Sequence, residues 1–418
     1  VGPAYLAARL FDGRRFVERA ALHVEGDTVR YAGAASGLKI RGPRVDLGNV
    51  TLCPGFIDLH AHFIGARAYS MTAIASEDER AGALRNVPRA LELLRAGFTA
   101  ARDCGSGPGP FLRDAIEEGS VQGPRLACAR AILSQTGGHG DVHSMPAEWL
   151  RRSSVFRLTD GPDDARKAVR EQFRAGADFI KFCATGGVLS ERDHSHQEQF
   201  TDEEVRALVD EAHRLGMRTA AHAQGTAGVK RALRAGVDTI EHGFYLDAEA
   251  IDLFLARDAT LVPTFSIVHQ ICEHGAAFGV PQGSIDKAKR ARDAHVRSFQ
   301  AALKAGVRAA TGTDFMGGDH NRFADAAMEI ELMVRAGATP LQALQAATSN
   351  AARAITRRGL PIYDQLGPRW FDRVGTLEPG ALADVVALQG DPRRNIGAVR
   401  RVAGVLKGGR PMVGMNSS

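Results

Sequence analysis

Pro54-Gly55-Phe56-Ile57-Asp58-Leu59-His60-Ala61-His62 is a short apolar run that ends in two histidines one residue apart. On a strand, alternate side chains share a face, so His60 and His62 would project together about 7 Å apart and could converge on one ion. A His-x-His pair also arises by chance in soluble proteins. Its meaning therefore depends on what the rest of the chain sets beside it.

On its N-terminal side the sequence reads as strands and turns. Tyr5 to Leu10 leads to a turn at Asp12-Gly13, and Ala21 to Val24 and Val29 to Ala32 flank Glu25-Gly26-Asp27 in a hairpin pattern. The C-terminal end has the same character. Gly375-Thr376-Leu377-Glu378-Pro379-Gly380 precedes Ala383 to Leu388, and Val402 to Leu406 precedes a Gly408-Gly409 turn. Both ends together predict one small β domain, a β-sandwich of residues 1–52 plus 375–418.

Between them a grammar repeats. A helix-like segment ends in glycine, a β-prone run follows, and a reactive residue sits at its end: Gly97 then Phe98 to Asp103, Gly176 then Asp178 to Lys181, Gly216 then Met217 to His222, Gly236 then Val237 to His242, Gly306 then Val307 to Asp314. Glycine is the expected helix stop, and the run after it is the next strand of a βα unit. Thr201-Asp202-Glu203-Glu204 reads as a capping box and Pro162 suits a first helical turn. With Pro54 to His60, Arg125 to Ala129 and Thr260 to Thr264, eight parallel strands are predicted, an α/β (β/α)8 TIM barrel over residues 53–374. In such barrels the C-terminal strand ends meet in one mouth, which a doubly wound sheet would not arrange around one point.

Composition sets the outer limits. The 418 residues suit a large barrel with a smaller companion, and 44% hydrophobic residues can fill both cores. The net charge of +5 balances 53 Lys+Arg against 48 Asp+Glu without a basic stripe or tail, which excludes nucleic acid as a partner. Five scattered cysteines with no Cys-x-x-Cys argue against a disulfide framework and for a reducing, cytoplasmic setting. The chain begins at Val1, which leaves secretion or a periplasmic location with a removed signal peptide open. No stretch is long and apolar enough to span a membrane.

The strand ends thus gather His60, His62, Lys181, His222, His242 and Asp314. Imidazoles and a carboxylate are ordinary ligands of zinc or a similar divalent ion, and a few of them with an open position make a catalytic site. Lys181 is the odd member, because an ammonium cannot ligate. It is a barrel-interior charge paired with a carboxylate, a lysine of depressed pKa, or an amine that has reacted with carbon dioxide to give a carbamate able to bridge two metals.

In these motifs, Asp58-Leu59-His60-Ala61-His62, Phe179-Ile180-Lys181-Phe182, Ala221-His222-Ala223, Glu241-His242-Gly243 and Gly312-Thr313-Asp314, the chain resembles the amidohydrolase superfamily over nearly its whole length. Ser134-Gln135-Thr136-Gly137-Gly138-His139, Thr185-Gly186-Gly187-Val188 and Ala346-Ala347-Thr348-Ser349-Asn350-Ala351-Ala352 are similar to its imidazolonepropionase-like and prolidase-like branch, which includes Xaa-Pro dipeptidases and carboxypeptidases acting on N-acyl amino acids. The resemblance implies two divalent ions, expected to be zinc. His60, His62 and Asp314 would hold one and His222 and His242 the other, with carboxylated Lys181 and a hydroxide bridging. Asp314 would serve as general base and acid, and His139 would contact the substrate carbonyl or carboxylate.

Arg192, His194, His196 and Gln224 are candidate helpers for a substrate carboxylate, although Gln224 stands where several peptidases of the branch carry Tyr. His143, His269, His274 and His320 are further candidates for the pocket wall. The expected substrate is a small amide or peptide, with cyclic amides and carbamate or urea-type amides as alternatives, and the expected partner is a second copy of the chain. A non-catalytic scaffold is the reading of another class, against which the intact ligand set argues.

Overall fold

The computed structural model describes residues 2–40, 42–319, 321–355 and 370–415. The two ends of the chain are interleaved in one eight-stranded sheet. Its path runs through Arg410–Val413, Val402–Lys407, Val385–Gln389, Val50–Pro54, Ala4–Phe11, Phe16–Glu25 and Thr28–Ala34, with Arg44–Asp46 parallel to Ala4–Phe11. Val385–Gln389 pairs antiparallel with Val50–Pro54, so a C-terminal strand lies beside an N-terminal one. The bond from Val29 N–H to Ala381 O (2.9 Å) and the Thr28–Leu382 bridge bring the far edge back toward the start of the C-terminal strands. Tyr5, Leu10, Leu22, Val29, Leu52, Val385 and Leu406 share one apolar cluster inside this sheet, as period-two patterning dictates.

The central region alternates strands and helices. Phe56–Ala61, Phe98–Asp103 and Arg125–Cys128 form a parallel three-stranded sheet. Phe156–Leu158, Ile132–Ser134, Phe179–Cys183, Arg218–Ala223, Thr239–His242, Thr260–Val262 and Arg308–Ala309 form a parallel seven-stranded one, in that order. Asp178 N–H bonds to Cys128 O (2.7 Å) at one seam. At the other, Leu59 N–H bonds to Thr311 O (2.9 Å) and His62 N–H to Phe315 O (2.8 Å). The strands are buried on both faces, as expected of parallel strands covered by helices.

Local chemistry explains the helix limits. Thr201 and Glu204 form the reciprocal capping box ahead of helix Asp202–Arg214, and Pro162 opens helix Pro162–Arg174. Helices Thr226–Ala235 and Gln282–Ala305 stop at Gly236 (φ 92°) and Gly306 (φ 88°), left-handed positions that a side chain would strain. Among the described residues no helix is long and apolar enough to cross a membrane.

Candidate metal centre

His60 and His62 leave the first parallel strand on one face, and the segment after Arg308–Ala309 brings Asp314 to meet them. Asp314 Oδ1 lies 3.4 Å from His60 Nε2 and 3.2 Å from His62 Nε2. Lys181 Nζ, from Phe179–Cys183, is 3.4 Å from the same His60 Nε2. His242 from Thr239–His242 and His222 from Arg218–Ala223 complete the floor, with ring centroids 4.5 Å apart and His242 5.3 Å from His60. All six line one pocket.

The hydrogen bonds fix where the imidazole protons sit. His60 Nδ1 faces Glu241 Oε2 at 2.8 Å and His62 Nδ1 faces Gly105 O at 3.0 Å, and both oxygens can only accept. The two Nε2 atoms are then lone pairs, aimed at a carboxylate oxygen that is also an acceptor. Two imidazole lone pairs and a carboxylate oxygen, all within 4.8 Å of one another, make a cluster of acceptors that a cation would satisfy. His222 Nε2 likewise donates to Gly186 O (3.2 Å), which frees Nδ1. This donor set fits divalent metal.

Electrostatics agree. Burial first, then the Lys181 ammonium, holds His60 well below the usual imidazole range. Burial and the neighbouring His139, His242 and Lys181 do the same to His222, and burial with His60 and Lys181 to His242. Burial pushes the Asp314 carboxyl up, but His60, His62 and Lys181 outweigh it and leave the group below its ordinary range. The result is neutral imidazoles and an ionised carboxylate, the forms that bind metal. The backbone is strained here too: His242 (φ 77°), Thr264 (φ 56°) and Asp314 (φ 59°) occupy the left-handed region, and Thr264 Oγ1 holds His242 Nδ1 at 2.7 Å.

His139 stacks on His222 with centroids 4.2 Å apart. Its Nδ1 meets Ser190 Oγ at 2.8 Å, and Ser190 in turn donates to Asp193. Burial raises the Asp193 carboxyl, but His139, Ser190 and Gly187 N–H more than offset it and hold the group well below the carboxylate range. Gly187 is required by packing, since a Cβ there would lie 2.3 Å from His139 Cε1.

Gln224 also lines the pocket and accepts from Ser195 Oγ at 2.6 Å. Arg192, His194 and His196 are exposed on the same loop and lie outside the pocket lining, His196 against Tyr245 with centroids 4.3 Å apart. His143, His269 and His274 do not line it either, and His320 lies outside the described residues. The sequence reading missed the walls: Ile64, Tyr69, Ile74, Phe156, Val188 and Phe244, with Ile267, Val268 and Ile271 on helix Phe265–His274. It also missed Asp58, whose buried carboxylate accepts from His60 N–H (3.0 Å) and Thr313 Oγ1 (2.7 Å), tying the segments that carry His60 and Asp314 together. Burial raises the Asp58 carboxyl to about 6.

Residues 51–412 match the amidohydrolase family model. Ochratoxinase of Aspergillus niger is 35% identical over 379 residues, covering 86% of this chain and 75% of the relative. Its crystal structure superposes with a TM-score of 0.87 at 31% identity, over 99% of this chain and 95% of that one. A Xaa-Pro dipeptidase with methionine in its active site gives 0.85 at 30% identity, over 98% and 99% of the two chains. A prolidase complexed with N-methylphosphonate-L-proline gives 0.87 at 31%, also over 98% and 99%. The chain is a member of the amidohydrolase family, a hydrolase of amide bonds on that family's TIM-barrel fold.

Proposed function

We propose that this enzyme uses two divalent ions, zinc in the first instance, to cleave the amide bond of N-acyl amino acids or dipeptides whose flanking groups are apolar. The observation that carries this reading is a floor of His60, His62, Lys181, His222, His242 and Asp314 ringed by apolar side chains. Burying one such flank is worth about 1.5–3 kcal/mol. The amino acid and the proline analogue held by the dipeptidase and prolidase neighbours support a carboxylate beside the scissile amide.

His60, His62 and Asp314 would hold one ion, His222 and His242 the other, with Lys181, carboxylated by carbon dioxide, between them. When bound, the ions supply a Lewis acid for the scissile carbonyl and acidify a water near neutral pH. Asp314, kept ionised by its neighbours, takes the proton of the attacking water and passes it to the leaving amine. His139, with Nδ1 held by Ser190, is the side chain we assign to the substrate carbonyl or carboxylate, and Gln224 assists. The apolar walls exclude bulk water from the reacting amide.

The same reading joins the two central sheets into a closed (β/α)8 barrel over residues 53–374, supported by the bonds at both seams. The terminal sheet, with its shared apolar cluster, becomes a small β-sandwich of residues 1–52 and 375–418. A homo-oligomer belongs to the same reading. Five buried free thiols suit the cytoplasm.

Protein purified without chelators should carry two equivalents of divalent metal per chain by elemental analysis. Amide hydrolysis by a preparation shown to hold none would overturn the metal reading. An N-acyl amino acid with an apolar side chain should be cleaved with at least about tenfold higher kcat/KM than its methyl ester, because a buried carboxylate needs a hydrogen-bonding partner. His139→Ala should narrow that gap by harming the free acid most. Equal values for acid and ester in the unaltered enzyme would point to cyclic amides or carbamates instead.

A further inference from the structure

Arg102, near the end of strand Phe98–Asp103, is 2% exposed and belongs to no step described above. Each of its three side-chain nitrogens donates: Nε to Leu59 O (2.6 Å), Nη1 to Thr239 Oγ1 (3.0 Å) and Nη2 to Glu241 Oε1 (2.6 Å). Its Cζ also lies 5.0 Å from the Phe179 ring centroid. Burial works against the charge, but Glu241 more than restores it, and Arg102 stays a cation. Glu241 is wholly buried and uses its other oxygen, Oε2, on His60 Nδ1 at 2.8 Å.

We infer that Arg102 is a positioning residue of the metal centre: it clamps Glu241, and Glu241 holds the His60 ring with its proton on Nδ1 and its Nε2 lone pair facing Asp314. The inference rests on the metal reading proposed above. Three features separate this relay from an ordinary core ion pair. It spans three strands, Phe56–Ala61, Phe98–Asp103 and Thr239–His242, and it ends on a ligand. The two carboxylate oxygens are divided between a cation and an imidazole, so Glu241 cannot move without turning His60. Glu241 also precedes His242, so one strand carries a proposed ligand and the orienter of another, and the positive φ of His242 (77°) lets both side chains reach His60.

The same contacts argue against a second metal site in this cluster. His60, Cys104 and Glu241 place donor atoms close enough to hold an ion. Yet Glu241 already accepts from Arg102, Thr239 (2.5 Å) and His60, and a cation there would face the guanidinium. Burial pushes the Cys104 thiol up to about 12, and it donates to Leu59 O (3.3 Å) as a neutral group.

The test is zinc affinity, measured by competition with a chromophoric chelator on Glu241→Gln, Arg102→Met and the double variant, with thermal melting of the metal-free proteins alongside. Glu241→Gln should bind zinc about ten- to a hundredfold more weakly, the scale expected when the partner of a metal-bound histidine is lost. The double variant removes both buried charges and should melt close to the parent. Because the two residues act along one path, it should lose no more affinity than Glu241→Gln alone. If Arg102→Met does not fold, Arg102→Lys, which keeps the charge without the fork, takes its place in the cycle. Unaltered zinc affinity in folded Glu241→Gln overturns the relay, and additive losses overturn the action of Arg102 through Glu241. If the unaltered protein itself binds no zinc, the metal reading falls and the relay with it.

Discussion

Lys181→Ala is expected to lose most of its bound metal and to drop kcat/KM by at least about a hundred- to a thousandfold, the cost of removing a group that organises charge around the reacting bond. As a free amine Lys181 is badly placed. It is 3% exposed, no carboxylate lies within ion-pair distance among the described residues, and its Nζ points at His60 Nε2 from 3.4 Å. An unpaired buried ammonium is costly. That removes the support for a structural ion pair, one of the readings the sequence left open. A carbamate on the same nitrogen is an anion with two oxygens, and its charge suits a pocket that otherwise has one carboxylate among four imidazole ligands. Metal content and turnover should both return in part when short carboxylic acids are added, because they can replace the bridging oxygens. Full metal occupancy and full activity in Lys181→Ala would refute the assignment.

The candidate ligand set was legible because each member follows a local signal. The glycine that ends a helix and the β-prone run after it mark the strand, and the strand end marks the mouth, so Lys181, His222 and His242 could be placed without tertiary information. Asp314 was harder. Only Arg308–Ala309 keeps ladder pairing, and the chain then passes through Gly312, where a Cβ would lie 2.4 Å from Val262 and 2.8 Å from His60 Cβ. The glycine lets the segment press against the first strand and deliver Asp314 to the histidines.

What lay beyond the sequence is set by distant contacts. Whether Arg192, His194 or His196 reaches the pocket depends on the path of the loop after Phe179–Cys183. That path is held by Lys287, whose Nζ donates to Ser190 O (2.8 Å) and Asp193 O (2.6 Å) from a helix about a hundred residues away. The clamp turns Ser190 and Asp193 toward His139 and leaves the neighbouring basic side chains in solvent. The apolar walls were hidden for another reason. Ile74, Val188 and Ile271 have the same patterning as core residues, and only the space they enclose distinguishes a wall from a core. The terminal strands were readable from their hairpin patterns, and strand Val50–Pro54 carries their sheet past residue 52.

Asp314→Asn is expected to lower kcat by at least about a hundredfold, in the range of general-base loss, while most of the metal stays bound. The amide keeps an oxygen where Oδ1 now faces His60 and His62, so coordination by that atom is preserved in kind. What the substitution removes is the ability to take a proton from water and return it to the leaving amine. The carboxylate is suited to that task because His60 and His62 favour its ionised form despite burial. KM should change little, since the flanks of the substrate rest on the apolar walls and His139. A loss in kcat and kcat/KM together, with metal content near the parent value, assigns the proton transfer to Asp314. If Asp314→Asn turns over at the parent rate with its metal in place, another residue moves the proton and Asp314 is a ligand alone. A parallel collapse of metal content would make the ligand role dominant, and the metal-binding curve of the variant separates that case from the catalytic one.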